Sequence, residues 1–169
     1  MKKPLPTDYP GFFNTYIALV PEDTILEALQ HQTTAIQEFL SAVSEDHSLF
    51  RYADDKWTIR EILQHMIDAE RIFSYRALCF SRKERQVLPG FEENEYTPNS
   101  HANARSWQSL ANEFLIVRQS TLALFNSFTN KMLVEEGRIK DYATSVTTIG
   151  FVIVGHAYHH MKVVAERYH

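Results

Sequence analysis

The run from Ser145 to His169 constrains the fold of this chain more than any other stretch. It contains no proline, and its apolar residues Val146, Ile149, Ile153 and Val163 recur at the spacing that keeps side chains on one face of an α-helix. Continued from Ile153, the same stripe passes through His156 and His160, so both histidines face inward. An i, i+4 pair on a helix is separated by about 6 Å along the axis, close enough for two imidazoles to hold one metal ion. A single histidine on an apolar face is ordinarily a core residue with both nitrogens hydrogen-bonded. Two on one stripe need partners for a donor and an acceptor nitrogen on each ring, and shared coordination meets that need. His159 falls on the flank of the stripe, beside Val152 and Glu166, where it either borders the histidine pair or meets solvent.

Three more segments read as long helices. Asp23 to about Val43 keeps Ile25, Leu29, Ile36, Leu40 and Val43 on one stripe, with Gln32 and Thr33 near its middle. The second begins at Trp57-Thr58-Ile59-Arg60-Glu61, where Thr58 and Glu61 have the S/T-x-x-E spacing that satisfies free backbone donors of a first turn. It runs to about Ser81, and His65 lies in its apolar face, three residues after Ile62 and four before Ala69. That placement makes His65 the natural third ligand. Asp68, one turn on, is positioned either to orient an imidazole through its free N–H or to serve as a solvated charge on the helix face. The third segment, His101 to about Phe128 with Asn99 or Ser100 as cap, carries Leu110, Phe114, Val117, Thr121, Leu124 and Phe128 at alternating steps of four and three.

Between these segments the chain reads as irregular. Residues 4–21 hold four of the six prolines and interleave Tyr9, Phe12, Phe13, Tyr16 and Ile17 with turn formers, which gives an aromatic arm lying over the body, with one helical turn at Phe12 to Leu19. Leu88 to Pro98 breaks regular structure and reads as the longest loop, while Asn130 to Thr144 holds a short strand or a turn. Four long amphipathic segments make an all-α four-helix bundle the economical architecture for one domain spanning residues 1–169.

Composition closes off several function classes. The formal net charge of -4 argues against a nucleic-acid surface, which needs clustered lysine and arginine. Cys79 is the only cysteine, so the chain can form no internal disulfide and no multi-thiolate zinc site. Met1-Lys2-Lys3-Pro4 lacks the apolar core of a signal peptide, and no apolar run reaches the roughly 20 residues that span a bilayer. No membrane partner and a cytoplasmic location are therefore expected.

The stretch Lys56-Trp57-Thr58-Ile59-Arg60-Glu61-Ile62-Leu63-Gln64-His65-Met66-Ile67-Asp68-Ala69-Glu70-Arg71 resembles the DinB-like family, in particular its YfiT-type branch of metal-dependent hydrolases. The resemblance continues through Leu88-Pro89-Gly90-Phe91-Glu92-Glu93-Asn94-Glu95-Tyr96 and ends in Gly155-His156-Ala157-Tyr158-His159-His160. It implies a four-helix bundle whose helix order differs from simple up-and-down, and one divalent metal held by three histidines, matching His65, His156 and His160 here. It also implies a homodimer, and for some relatives thiol S-transfer with a low-molecular-weight thiol as co-substrate.

Three neutral imidazoles leave a small divalent ion with an open position, the pattern of catalytic rather than structural sites. All-nitrogen ligation suits zinc or nickel rather than calcium or magnesium. Such an ion brings the pKa of a bound water down toward about 7, for hydrolysis, or deprotonates a thiol, for transfer. Glu92, Glu93, Glu95 and Asp68 are the carboxylates within reach as general base, and each also reads as a surface charge. The expected function is thus a metal-dependent hydrolase or thiol transferase acting on a small molecule. The alternative is a non-catalytic bundle, a binding or dimerisation module whose histidines are structural.

Overall fold

The structure, a computed structural model, describes residues 2–169. Short helix α1 (Asn14–Ile17) follows a 3-10 turn at Gly11–Phe13 in the N-terminal arm. The long helices are α2 (Ile25–Ala42), α3 (Ile59–Ser81), α5 (Trp107–Asn126) and α7 (Val146–Arg167). Helices α4 (Glu93–Asn99) and α6 (Asn130–Leu133) and a hairpin of β1 (Glu136–Ile139) and β2 (Tyr142–Ser145) fill the connections. Among the described residues, no helix is long and apolar enough to cross a membrane.

The start of α3 forms as its sequence dictates. Thr58 Oγ1 accepts from the Glu61 N–H at 3.1 Å, and the Glu61 carboxylate accepts from the Thr58 N–H at 2.7 Å, so two otherwise orphaned groups satisfy each other. Ser145 caps α7 by accepting from the Thr148 N–H at 3.1 Å.

Each long helix packs on two others: α3 on α5 and α7, and α2 likewise on α5 and α7. Helices consecutive along the chain, α2 with α3 and α5 with α7, therefore sit diagonally. An up-and-down bundle would place them side by side. The core shows the directions. One cluster joins Ile25 and Leu29 at the start of α2 to Phe80 at the end of α3, Phe125 at the end of α5 and Ile149 near the start of α7. A second joins Leu40, Ile59, Leu110 and Val164 at the opposite ends of those helices. Neighbours α3 and α5 are thus parallel, and the chain between them must return the full length of the bundle. That return, residues 82–106, is what carries α4 along the outside of the bundle.

A polar layer separates the two clusters. Arg118, fully buried on α5, donates to both carboxylate oxygens of Glu70 on α3 at 2.8 Å and to the Gln32 side-chain carbonyl on α2 at 2.6 Å. Gln32 in turn donates to the Val154 carbonyl of α7 at 2.6 Å. All four long helices meet in this network, and each side-chain nitrogen and oxygen of Arg118, Glu70 and Gln32 has a partner, as a polar group out of water requires.

Two expectations of the sequence are corrected. Leu88 to Pro98 is not wholly irregular, because α4 forms from Glu93 onward: Glu93 and Glu95 favour its positively polarised N-terminus, and Pro98 lies late enough to forfeit only a terminal bond. Helix α5 starts later than His101 and is capped by Ser106, since His101 takes a left-handed conformation (φ 51°) that interrupts the helix.

Candidate metal centre

Helix α3 presents His65 and helix α7 presents His156 and His160 to one point. The Nε2 atom of His156 lies 3.0 Å from Nε2 of His65 and 3.1 Å from Nε2 of His160. One ligand nitrogen from each ring falls within 4.8 Å of the others. For comparison, nitrogens about 2.0–2.1 Å from a tetrahedral ion stand about 3.3 Å apart. A neutral imidazole nitrogen carries either one proton or one lone pair, so His156 Nε2 cannot make a full hydrogen bond to both neighbours. Lone pairs converging on one ion remove that conflict, and the donor set fits a divalent metal that favours nitrogen.

Burial sets the charge of these rings. It pushes His65 down to about 4 and His160 down to about 3, with neighbouring histidines pressing His160 further. His156, also buried, lies well below the usual histidine range for the same reasons. All three are neutral at pH 7 and have lone pairs to give. Because their folded-state pKa values lie below the unfolded value of 6.5, the unfolded chain takes up protons first as acid is added. The metal-free protein should therefore keep its full stability above pH 6.5 and lose it as the pH falls toward 4, by up to about 1.4 kcal/mol per pH unit for each histidine. Urea melts after chelator treatment at pH 7, 6 and 5 check this; a variant with all three histidines replaced by glutamine should show a much flatter profile.

The centre lies on the wall of a cavity of about 370 Å³ that opens sideways, between α3, α7 and the outer segments, about two turns into α3. Trp57 and Phe73 flank the rings, with centroids 5.1 Å from His65 and 6.0 Å from His156. The aromatic arm supplies Phe12, Phe13 and Tyr16. Tyr16 packs edge-on to His156 at 5.4 Å and His159 at 5.5 Å, while Phe12 and Phe13 pack on Tyr142 of the hairpin at 5.2 and 5.7 Å. The arm comes this close because Gly155 has no side chain: a Cβ there would collide with the Tyr16 carbonyl. His159, half-buried on the flank as expected, touches Tyr16 and His160 and belongs to the border of the site.

The family model of the DinB superfamily matches residues 28–164. The chain belongs to the DinB superfamily. Among solved structures it resembles YfiT from Bacillus subtilis, described as a probable metal-dependent hydrolase with an unusual four-helix bundle topology. The two share 12% identity over 90% of this chain and 95% of YfiT, with a TM-score of 0.72. No curated protein matches. The diagonal helix order found here is the departure from up-and-down that a DinB-like fold implies.

Within this DinB-like frame the four candidate carboxylates separate. Glu93, the first residue of α4, lines the cavity, and its charge acts on both His65 and Tyr16. Glu92 pairs with Lys140 at 3.3 Å. Asp68 accepts from Gln64 at 2.9 Å and faces a different depression, shared with Glu95. Sequence reasoning missed Arg76, Tyr142 and Trp57 as cavity residues. Arg76 had a signal, because Ile62, Met66, Ala69, Phe73, Arg76 and Phe80 step by four and three along one face of α3. Tyr142 had none, since nothing in its neighbourhood says which helices the hairpin will cover.

Proposed function

We propose that this protein is a metal-dependent enzyme, a hydrolase or thiol S-transferase, in which His65, His156 and His160 hold one zinc or nickel ion against a small-molecule pocket. The observation that carries this reading is the convergence of three neutral Nε2 atoms on the wall of an aromatic cavity. A divalent ion held there lowers the pKa of a water or thiol that binds it and polarises an electrophile.

The chain's own groups complete the chemistry. Trp57, Phe73 and Tyr16 exclude bulk water from around the imidazoles, which strengthens charge interactions inside. Glu93 is the only carboxylate lining the cavity among the described residues, and it takes the proton released when water or thiol ionises. YfiT, as a probable metal-dependent hydrolase, supports the hydrolytic branch by likeness; the low-molecular-weight thiol remains the co-substrate of the transfer branch.

Metal content measured on untagged protein, followed by assay of ester and amide substrates and of thiols with an electrophile, tests the proposal. About one zinc or nickel per chain is expected, with turnover lost on chelation and lowered about 10²-fold or more in Glu93→Gln. Protein purified without stoichiometric metal, with a melting temperature indifferent to chelator, would instead favour the non-catalytic bundle.

A further inference from the structure

Among the described residues three arginines are buried, and two of them are well partnered. Arg60 is held by the Glu45 carboxylate and by Ser48 and three backbone carbonyls, and Arg118 by Glu70 and Gln32. Arg76 differs. It is only 4% exposed, yet its guanidinium makes one hydrogen bond, to the Pro89 carbonyl at 2.8 Å, and meets no carboxylate among the described residues. It lines the cavity of the histidines, held between the rings of Phe73 and Phe91 at 5.6 and 5.7 Å from their centroids. Its unused donors are not sealed in the core but reach the open cavity, where an incoming acceptor can meet them.

We propose that Arg76 receives a carboxylate carried by the substrate, which fixes the substrate class as a small apolar or aromatic carboxylate with its reacting group at the histidines. One guanidinium balances one negative charge, and its planar fork matches a carboxylate in two parallel hydrogen bonds. A doubly charged phosphate would ask for a second cation beside Arg76, and the other lysine or arginine of the cavity, Lys140, is exposed and directed to Glu92 at the surface, 3.3 Å away. Tyr142 stands in the field of Arg76 and offers a phenol at the same end of the cavity. Burial also lowers the guanidinium's pKa, in keeping with a cation that lacks its anion.

The geometry orients the ligand. Arg76 follows His65 by eleven residues, three turns along the same face of α3, so the two are roughly 16 Å apart along the axis, and the long side chain leans back toward the histidines. The Phe73 ring stands between, 6.0 Å from the His156 ring and 5.6 Å from the guanidinium. An apolar body lying on Phe73 thus joins the two polar ends.

This inference rests on the proposed metal centre for the reacting end only, and binding of benzoate and of uncharged benzamide tests it separately. Both are titrated by calorimetry into the protein as purified, into chelator-treated protein, and into Arg76→Gln and Arg76→Lys. Benzoate should bind at least about tenfold tighter than benzamide, lose about tenfold or more in Arg76→Gln, and persist in chelator-treated protein. Arg76→Lys, which keeps the charge without the fork, should fall between and serves if the glutamine variant does not fold. Benzoate binding that is absent, equal to that of benzamide, or unchanged in Arg76→Gln overturns the proposal. Binding abolished by chelator and indifferent to Arg76 overturns it while leaving the metal centre intact. Persistence of Arg76-dependent binding in protein that never holds metal leaves the anion site standing and the metal reading refuted.

Discussion

The His160→Ala protein is expected to fold normally and to retain less than about a tenth of the metal of the unsubstituted chain. Losing a group outside the ligand set of a metal site typically costs 10–100-fold in affinity, and losing one of three ligands should cost more. His160 is the variant of choice because it is the least enclosed of the three rings, whereas His65 and His156 are 8% and 7% exposed and their removal would open a core cavity as well. Alanine is also the best helix former, so α7 should persist through the change. Elemental analysis with circular dichroism reads both quantities. Full metal retention in a folded variant would remove His160 from the ligand set and with it the three-histidine centre.

The second large effect concerns stability. Arg118→Met should cost about 3–5 kcal/mol, because it strands the Glu70 carboxylate, only 3% exposed, with no cation in reach. Removing both charges in Glu70→Leu/Arg118→Met should recover much of that loss, since a buried ion pair replaced by apolar side chains of similar volume is often neutral. Urea denaturation of the two single variants and the double variant completes the cycle. A loss below about 1 kcal/mol in Arg118→Met would show that water or a shifted proton relieves the carboxylate. The network also reaches the site, since Gln32 grips the carbonyl of Val154, two residues before His156, and so helps fix the rotation of α7.

Much of the candidate site is legible in the sequence because helical periodicity is a local property. Val146, Ile149, Ile153, His156 and His160 share a face whatever α7 packs against, and the same holds for Ile62, His65 and Ala69 on α3. Thr58 with Glu61, and Ser145 before Val146, announce helix starts through bonds spanning three residues. The resemblance to the DinB-like family implied that the helix order departs from up-and-down, which no local spacing contains.

Local spacing does not say which faces meet. Tertiary packing alone made neighbours of α3 and α7 across 91 residues, so that His65 and His156 lie 3.0 Å apart. The parallel pairing of α3 and α5 forces residues 82–106 back along the bundle, and that path is why Glu93 reaches the cavity while Asp68 and Glu95 face elsewhere. Packing likewise gave Arg118 a carboxylate and left Arg76 without one, although both arginines sit on inward helix faces. A sequence fixes which residues must leave water, because that depends on their own chemistry and the helix period. Which partners they find there depends on contacts between distant segments, and only the folded chain decides those.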